Sequence, residues 1–236
     1  MAENSSLPRH VAIIMDGNRR WAKKHMVQIA MGHRKGVDTL RSIIRESSDL
    51  GIEALTLYAF STENWRRAPS EVEALMGLLL EYFTSEIDEL CRERVCIRIL
   101  GVKEGLPEKQ RQALIQAEAR TKDNDGLKLS IAINYGGRDE IVRCVRKIAA
   151  EAAEGTLSPE AVDERLLESR LDTQGLPDVD LLIRTSGEMR LSNFLLYQVA
   201  YAEFVFSDVL WPDFDLEEYH KALAEYARRG RRFGGG

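Results

Sequence analysis

The sequence contains no long apolar run and few cysteines. No stretch of its 236 residues approaches the roughly 18 uninterrupted apolar residues that a membrane-spanning helix requires. The first residues carry neither the basic cluster nor the apolar core of a targeting segment. Its three cysteines, Cys91, Cys96 and Cys144, include no CxxC pair of the kind used for zinc or dithiol redox chemistry. We therefore expect a cytoplasmic protein whose cysteines are buried structural thiols.

The common phosphate-binding motifs are also absent. The sequence contains no GxxxxGK[ST] loop, no GxGxxG after a strand and no aspartate-rich DDxxD pair. Nucleotide kinases and dinucleotide enzymes are therefore poor fits. The formal net charge is −5, so a broad basic field that would attract nucleic acid is not expected. Any anion-binding site must be local.

Strand and helix patterns alternate along the whole chain, which is typical of a mostly parallel sheet covered by helices on both faces. We predict an α/β fold with a single domain over residues 1–236 and flexible tails at residues 1–8 and 230–236. The predicted strands are residues 10–15, 54–60, 95–100, 127–134, 179–184 and about 203–206, and the predicted helices are residues 36–50, 70–94, 107–122, 139–154, 159–169 and 216–229.

Arginines, small hydroxyls and glycines follow four of the predicted strands. Ligands of open α/β sheets bind beyond the carboxyl ends of the strands. Arginine matches phosphate oxygens with a planar fork of donors, and glycine lets backbone amides approach an anion, so the pattern indicates a phosphate-bearing ligand. The alternative is that these arginines are solvated surface charges. The four segments are residues 16–21, 61–67, 135–138 and 185–190.

Asp16 lies directly after the first predicted strand and before Gly17. A carboxylate at that point suits Mg²⁺ bridging to phosphate oxygens, because Mg²⁺ usually takes only one or two protein carboxylates. Glu203 is a candidate second ligand. Alternatively, Asp16 caps a helix by accepting hydrogen bonds from the amides of Asn18 and Arg19. The residues alone leave both interpretations open.

Residues 72–83 are apolar around nearly the whole circumference of the predicted helix. Such a helix is buried in the core or in a dimer interface, or it lines an apolar cavity. Next to a diphosphate site, the cavity becomes the more attractive interpretation. A polar mouth and an apolar interior suit an amphiphile with a charged head and a hydrocarbon tail.

Several motifs resemble those of the cis-prenyltransferases of the undecaprenyl diphosphate synthase type: residues 10–22, 32–36, 57–65, 134–138 and 180–214. The resemblance spans nearly the full chain in the family's order. It implies a homodimer with an apolar tunnel between sheet and helices. It also implies repeated Mg²⁺-dependent condensation of isopentenyl diphosphate onto an allylic diphosphate, with farnesyl diphosphate as the expected allylic substrate. The implied product is a long polyprenyl diphosphate of undecaprenyl class, the lipid carrier precursor for cell-wall glycan synthesis.

The resemblance also implies roles for individual residues. Asp16 matches the aspartate that holds Mg²⁺ and is needed for turnover, Asn64 matches a residue proposed to take part in proton removal, and Glu203 matches a metal-reaching glutamate across the dimer interface. Ser61 is the other residue to consider for proton transfer. The implied substrate-binding residues are Gly17, Asn18, Arg19, Arg20, Trp21, His33, Ser61, Thr62, Glu63, Trp65 and Arg67, together with Arg184, Arg190, Leu191 and Ser192 for isopentenyl diphosphate.

The chain departs from the family pattern at three positions. Ile29 occupies the place of a common arginine, and the loss of one phosphate contact would weaken binding by roughly 1.5 to 3 kcal/mol unless Lys24 or Arg34 compensates. Met189 stands where close relatives often have histidine, and a thioether neither shuttles protons nor binds Mg²⁺ well. Arg19 replaces a glycine. Ala59 is small at a position where a bulky side chain would shorten the tunnel, which favours a long product.

Two other functions compete with this interpretation. Some cis-prenyltransferase homologues act as non-catalytic subunits of a heteromer; Ile29 and Met189 favour that role, whereas intact Asp16, Asn64 and Glu203 oppose it. A phosphate-binding α/β hydrolase would not need the apolar helix. We expect no nucleic acid partner. Transient contact with a membrane surface would accompany product release, and the arginine-rich tail of residues 228–233 is either a contact of that kind or simply solvated.

Overall fold

The computed structural model describes residues 7–229 and is centred on one six-stranded sheet. All neighbouring strands pair in parallel, in the order β3-β4-β2-β1-β5-β6. The predicted α/β class with a parallel sheet between helices is confirmed. The strands are β1 His10–Ile14, β2 Ala54–Ser61, β3 Cys96–Leu100, β4 Lys128–Tyr135, β5 Leu181–Arg184 and β6 Glu203–Phe206.

Eight α-helices connect and cover the strands within residues 7–229. None of them is both long and apolar enough to cross a bilayer. Short 3-10 helices lie at Thr62–Arg66, Pro159–Ala161 and Trp211–Asp213. The α-helices are α1 Asn18–Lys24, α2 Ile29–Asp49, α3 Pro69–Ser85, α4 Ile87–Arg92, α5 Glu108–Thr121, α6 Gly137–Ala153, α7 Glu164–Glu168 and α8 Leu216–Arg228.

The helix after β1 was not predicted, and α2 begins at Ile29 rather than at residue 36. Helix α1 buries only Ala22, so its sequence lacks the apolar periodicity on which a prediction depends. Two glycines of α2 allow its close packing on α1. A Cβ on Gly32 would lie 2.3 Å from the carbonyl oxygen of Asn18, and one on Gly36 would lie 2.3 Å from its side-chain oxygen.

Two other predicted helices are divided in the structure. The helix predicted over residues 70–94 is broken at Glu86, which separates α3 from α4, and the one over residues 159–169 becomes a 3-10 turn followed by α7. Of the predicted tails, residues 1–6 and 230–236 lie outside the described part of the chain. Pro8, which was assigned to the N-terminal tail, is buried.

Each face of the sheet packs against its own apolar core. Successive side chains of a strand point to opposite faces, and β1 illustrates this. Val11 and Ile13 belong to the core beneath α2 and α3, whereas Ala12 and Ile14 belong to the core that includes Phe194. Strand β1 is completely buried, as expected of a central strand covered on both sides.

The cysteines only partly match the expectation of buried thiols. Cys144 is buried, but Cys91 and Cys96 are half-buried, and all three are free. Cys96 begins β3, an edge strand whose residues alternate between half-buried and buried positions. Cys96 is only half-buried because it lies at the edge of the sheet, where β3 has a neighbouring strand on one side only within residues 7–229.

A cavity of about 700 Å³ lies between the sheet and the pair of helices α2 and α3. Its volume is in the range of pockets that hold small organic ligands. The strand ends of β1, β2 and β5 contribute a polar end, and α3 contributes much of the apolar remainder. The apolar lining is formed by Val37, Leu40, Ala59, Phe60, Leu75, Met76, Leu78, Leu79, Tyr82, Phe83 and Ile131.

Candidate active site

Asp16 and Arg184 form an ion pair at the polar end of the cavity. The ladder between β1 and β5 pairs Ile14 with Arg184, which brings Asp16, two residues after β1, next to the end of β5. Arg184 Nη2 donates to Asp16 Oδ2 at 2.9 Å. The arginine side chain is only 3% exposed and the aspartate 31%, so solvent screens this pair less than it would a surface pair. Both side chains line the cavity.

The backbone of Asp16 is held on both sides. Its N–H donates to Thr185 Oγ1 at 3.0 Å, and the same hydroxyl donates to the Asp16 carbonyl at 2.6 Å. The N–H of Trp211 donates to that carbonyl at 2.9 Å. Gly17 is the N-cap residue of α1 and no side chain caps this helix, so the capping alternative for Asp16 is wrong. Its carboxylate faces the cavity instead.

The loop after β5 surrounds Arg184 with acceptors. Arg184 Nη1 donates to Ser192 Oγ at 2.7 Å and to the carbonyl of Arg190. Its Nε is buried without a hydrogen-bond partner among residues 7–229. Ser192 has φ 49°, a left-handed backbone. The predicted trio Arg184, Arg190 and Ser192 is thus brought together, whereas Leu191 packs against the core on the other face of the sheet and does not line the cavity.

Arg20 links α1 to the same loop. Its Nη1 lies 3.2 Å from Glu188 Oε1 and donates to the carbonyl of Ser186 at 3.0 Å. Its Nη2 donates to Ser186 Oγ and lies 3.6 Å from Asp16 Oδ1. Met189 in this loop, which stands where close relatives often have histidine, is 79% exposed. A second guanidinium therefore lies beside the Asp16–Arg184 pair.

Glu71 is a functional candidate that the sequence analysis missed. This carboxylate is 8% exposed in the first turn of α3. Its Oε1 accepts from Arg67 Nη1 at 2.9 Å and lies 3.6 Å from His33 Nε2, and its Oε2 lies 3.7 Å from Arg19 Nη1. The spacing of four residues from Arg67 was the available sequence signal. Three predicted substrate-binding residues therefore share one buried counter-ion.

The neutral form of the His33 side chain is favoured. Burial lowers its pKa, and the neighbouring Glu71 carboxylate only partly opposes that effect. Its Nε2 is buried without a hydrogen-bond partner among the described residues. A neutral imidazole with an unused nitrogen at the cavity wall is available to a ligand as donor or acceptor.

The end of β2 and the loop after it contribute Ser61, Glu63, Asn64 and Arg67 to the cavity. Asn64 Oδ1 accepts from the N–H of Ser61 at 3.1 Å. The side-chain amide of this predicted catalytic residue therefore also stabilises the turn that begins at Ser61. Glu63 Oε1 accepts from Asn193 Nδ2 at 3.0 Å. This contact ties the loop after β2 to the loop after β5.

Seven predicted substrate contacts do not line the cavity, and apart from Arg19, Arg20 and Leu191 they are Trp65, Trp21, Thr62 and Gly17. Trp65 Nε1 donates to Asn134 Oδ1 at 2.8 Å, and Trp21 Nε1 donates to Asp213 Oδ1 at 2.7 Å. Thr62 lies beside Gly136, whose added Cβ would come within 2.9 Å of its hydroxyl. Gly17, with φ 116°, lies where an added Cβ would meet Leu210 Cα at 3.0 Å. These residues position the loops at the polar end.

One of the four predicted anion-binding segments lies outside the cavity. Residues 135–138 follow β4, but the N–H of Gly137 donates to the Asn193 carbonyl at 2.7 Å and that of Arg138 to Asn193 Oδ1 at 2.9 Å. Arg138 is exposed. The expectation that this segment faces the ligand is wrong, because its backbone N–H groups donate hydrogen bonds to the loop after β5 instead.

The two predicted metal ligands are far apart in the chain's own fold. Asp16 follows the carboxyl end of β1, whereas Glu203 begins β6, pairs with Leu181 at the start of β5 and lies 3.2 Å from Arg229 Nη1. No group of three or more His, Cys, Asp or Glu side chains that could hold a metal occurs within residues 7–229. A lone Asp16 still fits Mg²⁺, because this ion usually takes only one or two protein carboxylates.

Comparisons with known proteins agree with this geometry. Residues 14–234 match the family model described as putative undecaprenyl diphosphate synthase. The isoprenyl transferase of Agrobacterium fabrum is 54% identical over 98% of this chain and 93% of its own length, and that of Bacillus subtilis is 49% identical over 97% and 88%.

Two solved structures are similar along nearly the whole chain. Lavandulyl diphosphate synthase from Lavandula x intermedia, in complex with dimethylallyl diphosphate, has a TM-score of 0.95 and 41% identity, covering 97% of this chain and 99% of that one. A probable undecaprenyl diphosphate synthase from Campylobacter jejuni has a TM-score of 0.80 and 33% identity, covering 98% and 99%. The chain therefore belongs to the prenyltransferase family of isoprenyl transferases and undecaprenyl diphosphate synthases.

Proposed function

We propose that this enzyme adds isopentenyl diphosphate repeatedly to farnesyl diphosphate and releases undecaprenyl diphosphate, the lipid carrier precursor for cell-wall glycan synthesis. The observation that carries the proposal is a single cavity with two chemically different ends. One end is charged around Asp16 and His33, and the other is apolar around Leu79 and Phe83. A substrate with a diphosphate head and a growing hydrocarbon tail matches both ends.

The charged groups match the needs of the reaction. Arg184 and Ser192 hold the diphosphate of isopentenyl diphosphate, and its double bond attacks the allylic carbon while the bond to the departing diphosphate breaks. Preorganised cations such as Arg20 stabilise the negative charge that develops on that leaving group. Magnesium bound through Asp16 would supply further charge neutralisation there.

Loss of one proton from the former isopentenyl unit then forms the new cis double bond. Asp16, Ser61 and Asn64 line the polar end and are the candidate acceptors or relays for that proton. The lengthened tail moves into the apolar end, and the diphosphate site is free for the next unit. Ala59 lies in the lining with a small side chain, which leaves room for a long product.

We further propose that the enzyme is a cytoplasmic homodimer in which Glu203 reaches the metal bound in the partner subunit. Glu203 begins edge strand β6, which has a neighbouring strand on one side only among the described residues. All four residues of this strand are half-buried. An edge of this kind is suited to being covered by a second subunit.

A second candidate function is the coupling of short allylic diphosphates. The close structural similarity to a synthase bound to dimethylallyl diphosphate favours it. The apolar end of the cavity favours elongation instead, because a five-carbon unit would leave most of that lining unused. The two functions differ in the starter that is used and in the length of the product.

The test is incubation of purified protein with farnesyl or dimethylallyl diphosphate, labelled isopentenyl diphosphate and Mg²⁺, followed by chromatography of the extracted lipids. A ladder that ends at one long product, absent from an Asp16→Ala control and from reactions with chelator, supports the proposal. Short products from dimethylallyl diphosphate alone would favour the second candidate. No incorporation by folded protein would contradict both candidate functions. It would favour the role of a non-catalytic subunit, with which Ile29 and Met189 are consistent.

A further inference from the structure

The hairpin formed by α1 and α2 carries a concentrated positive charge. Residues 17–37 contain six lysines and arginines and no acidic residue, in a chain whose formal net charge is −5. Arg19 and Arg20 already have carboxylate partners, Glu71 and Glu188. Lys23, Lys24 and Lys35 are exposed, and none of them has a carboxylate partner within residues 7–229. Three cations are thus left for a partner outside the chain.

The tip of the same hairpin exposes apolar side chains. Met26 is 93% exposed, the largest exposed fraction among the large hydrophobic residues of the described chain, and its backbone turns with φ 52°. Met31, Val27 and Ile29 are 52%, 42% and 38% exposed. Four solvated apolar side chains within six positions differ from the scattered single residues of an ordinary surface.

The hairpin is a firm part of the cavity wall rather than a loose loop. Asn18 on α1 and His33 on α2 both line the cavity. The close approach of Gly32 to the backbone of Asn18, together with the hydrogen bond from Trp21 to Asp213, holds the two helices together. The exposed tip therefore has a fixed position next to the polar end of the cavity.

We propose that the tip of this hairpin, residues 23–31 with Lys35, docks on the surface of an anionic lipid bilayer. Exposed apolar side chains flanked by lysines are the combination that inserts shallowly among lipid tails while the cations contact anionic headgroups. Nucleic acid would use the cations but leave the methionines in water. A second copy of the chain, meeting tip to tip, would bring the same unpaired lysines together.

Docking at this tip would orient the cavity mouth toward the membrane, where a lipid product belongs. That purpose rests on the proposed function, but the binding itself does not. Vesicle binding therefore tests the docking surface, and chain elongation separately tests the proposed function. If elongation is absent while vesicle binding depends on the tip, the docking surface stands and the proposed function falls.

The experiment is co-sedimentation of the full-length protein with vesicles of phosphatidylcholine alone or mixed with phosphatidylglycerol. We expect binding to the anionic vesicles that weakens with added salt. The variants Met26→Ser with Met31→Ser, and Lys23→Glu with Lys35→Glu, should each weaken binding about tenfold or more. Elongation assayed in detergent without vesicles should remain unchanged in both.

Two matched variants on other exposed surfaces serve as controls. Val142→Ser with Val145→Ser removes a similar exposed apolar pair from α6, and Lys109→Glu with Lys147→Glu reverses two lysines that lack ion partners among the described residues. Both should bind vesicles as the unchanged protein does. Each of three results would overturn the proposal: no vesicle binding by the unchanged protein, equal losses in tip and control variants, or a change in oligomeric mass caused by the tip variants.

Discussion

Two charged groupings lie at the polar end of the cavity, and they are built differently. Asp16 follows β1 and Arg184 ends the adjacent strand β5, so the ladder of these two strands sets their separation. Glu71, Arg67 and His33 come from α3, the segment before it and α2, so their separation depends on how helices pack. The first grouping is anchored in the sheet by backbone hydrogen bonds. The second is held by one buried carboxylate.

This difference in anchoring indicates where the backbone should tolerate a substitution. Strand ends in a parallel sheet are held on both sides, so a changed side chain there alters charge without moving the backbone. The Glu71 grouping has no such frame, and removal of its carboxylate leaves two guanidiniums and an imidazole to rearrange. Substitutions in the strand-end pair should act on turnover at Asp16 and on isopentenyl diphosphate binding at Arg184, and those in the helix grouping should act on affinity for the allylic substrate.

The largest effect is expected for Asp16→Ala. Loss of this carboxylate removes the candidate metal ligand and the ion partner of Arg184, and should lower kcat by about 10²- to 10³-fold. Steady-state incorporation of labelled isopentenyl diphosphate measures it. The exposed Asp123 supplies the matched control, Asp123→Ala, which should keep full activity. A variant at position 16 that retains its kcat would remove the strand-end pair from the proposed mechanism.

A smaller effect is expected for Arg184→Lys. Lysine keeps the charge but lacks the planar fork that contacts Asp16 and Ser192 together. Loss of one charge-assisted hydrogen bond corresponds to a rise of about 10- to 100-fold in KM for isopentenyl diphosphate. The matched change Arg146→Lys at an exposed position should leave KM unaltered. Equal KM values in both variants would show that charge alone suffices at position 184.

Glu71→Gln should raise KM for the allylic substrate about tenfold with a smaller change in kcat, because Arg67 and Arg19 lose the acceptor that positions them. Kinetics with varied farnesyl diphosphate separate the two parameters. Glu73→Gln, an exposed change on the same helix, is the control. A lowered KM would mean instead that the carboxylate competes with the diphosphate for these cations.

The smallest effect concerns the pH dependence of stability. Burial lowers the pKa of both His33 and His10 below the ordinary value of 6.5. The unfolded state then binds protons more readily than the folded state. The contribution of these histidines to the free energy of unfolding is therefore fully present above pH 6.5, and it decreases as the pH falls toward their pKa values in the folded state. The slope should approach about 1.4 kcal/mol per pH unit for each group. Urea titrations between pH 5 and 8 measure it.

The variants His10→Gln and His33→Gln distinguish the two contributions to this slope. Both histidines have carboxylates nearby that partly favour the charged form. His10 is only 1% exposed, with the Pro177 carbonyl at 2.8 Å and Thr56 Oγ1 at 2.7 Å from its ring nitrogens, whereas His33 is 9% exposed. Replacement of His10 should therefore flatten the slope more than replacement of His33. A slope that neither variant changes would assign the acid sensitivity to other groups.

Most of the sheet and the strand-end residues could be predicted from the sequence. Buried strands read as continuous apolar runs, and the order of strands with intervening helices indicates that their carboxyl ends share one edge. This reasoning placed Asp16, Ser61 and Arg184 together correctly. It failed for Arg138, because the order of strands does not tell which loop is tied to a neighbour, here through Asn193.

The sequence by itself determined the α/β class, the strand ends that hold Asp16 and Arg184, and the family, because apolar periodicity and motif spacing are local properties of the chain. Only the tertiary structure decided that Glu71 is the shared counter-ion and that Met26 is solvated at the tip of a basic hairpin. Both depend on how α1, α2 and α3 pack against one another. Packing joins residues that are distant in sequence, and no local pattern records those contacts.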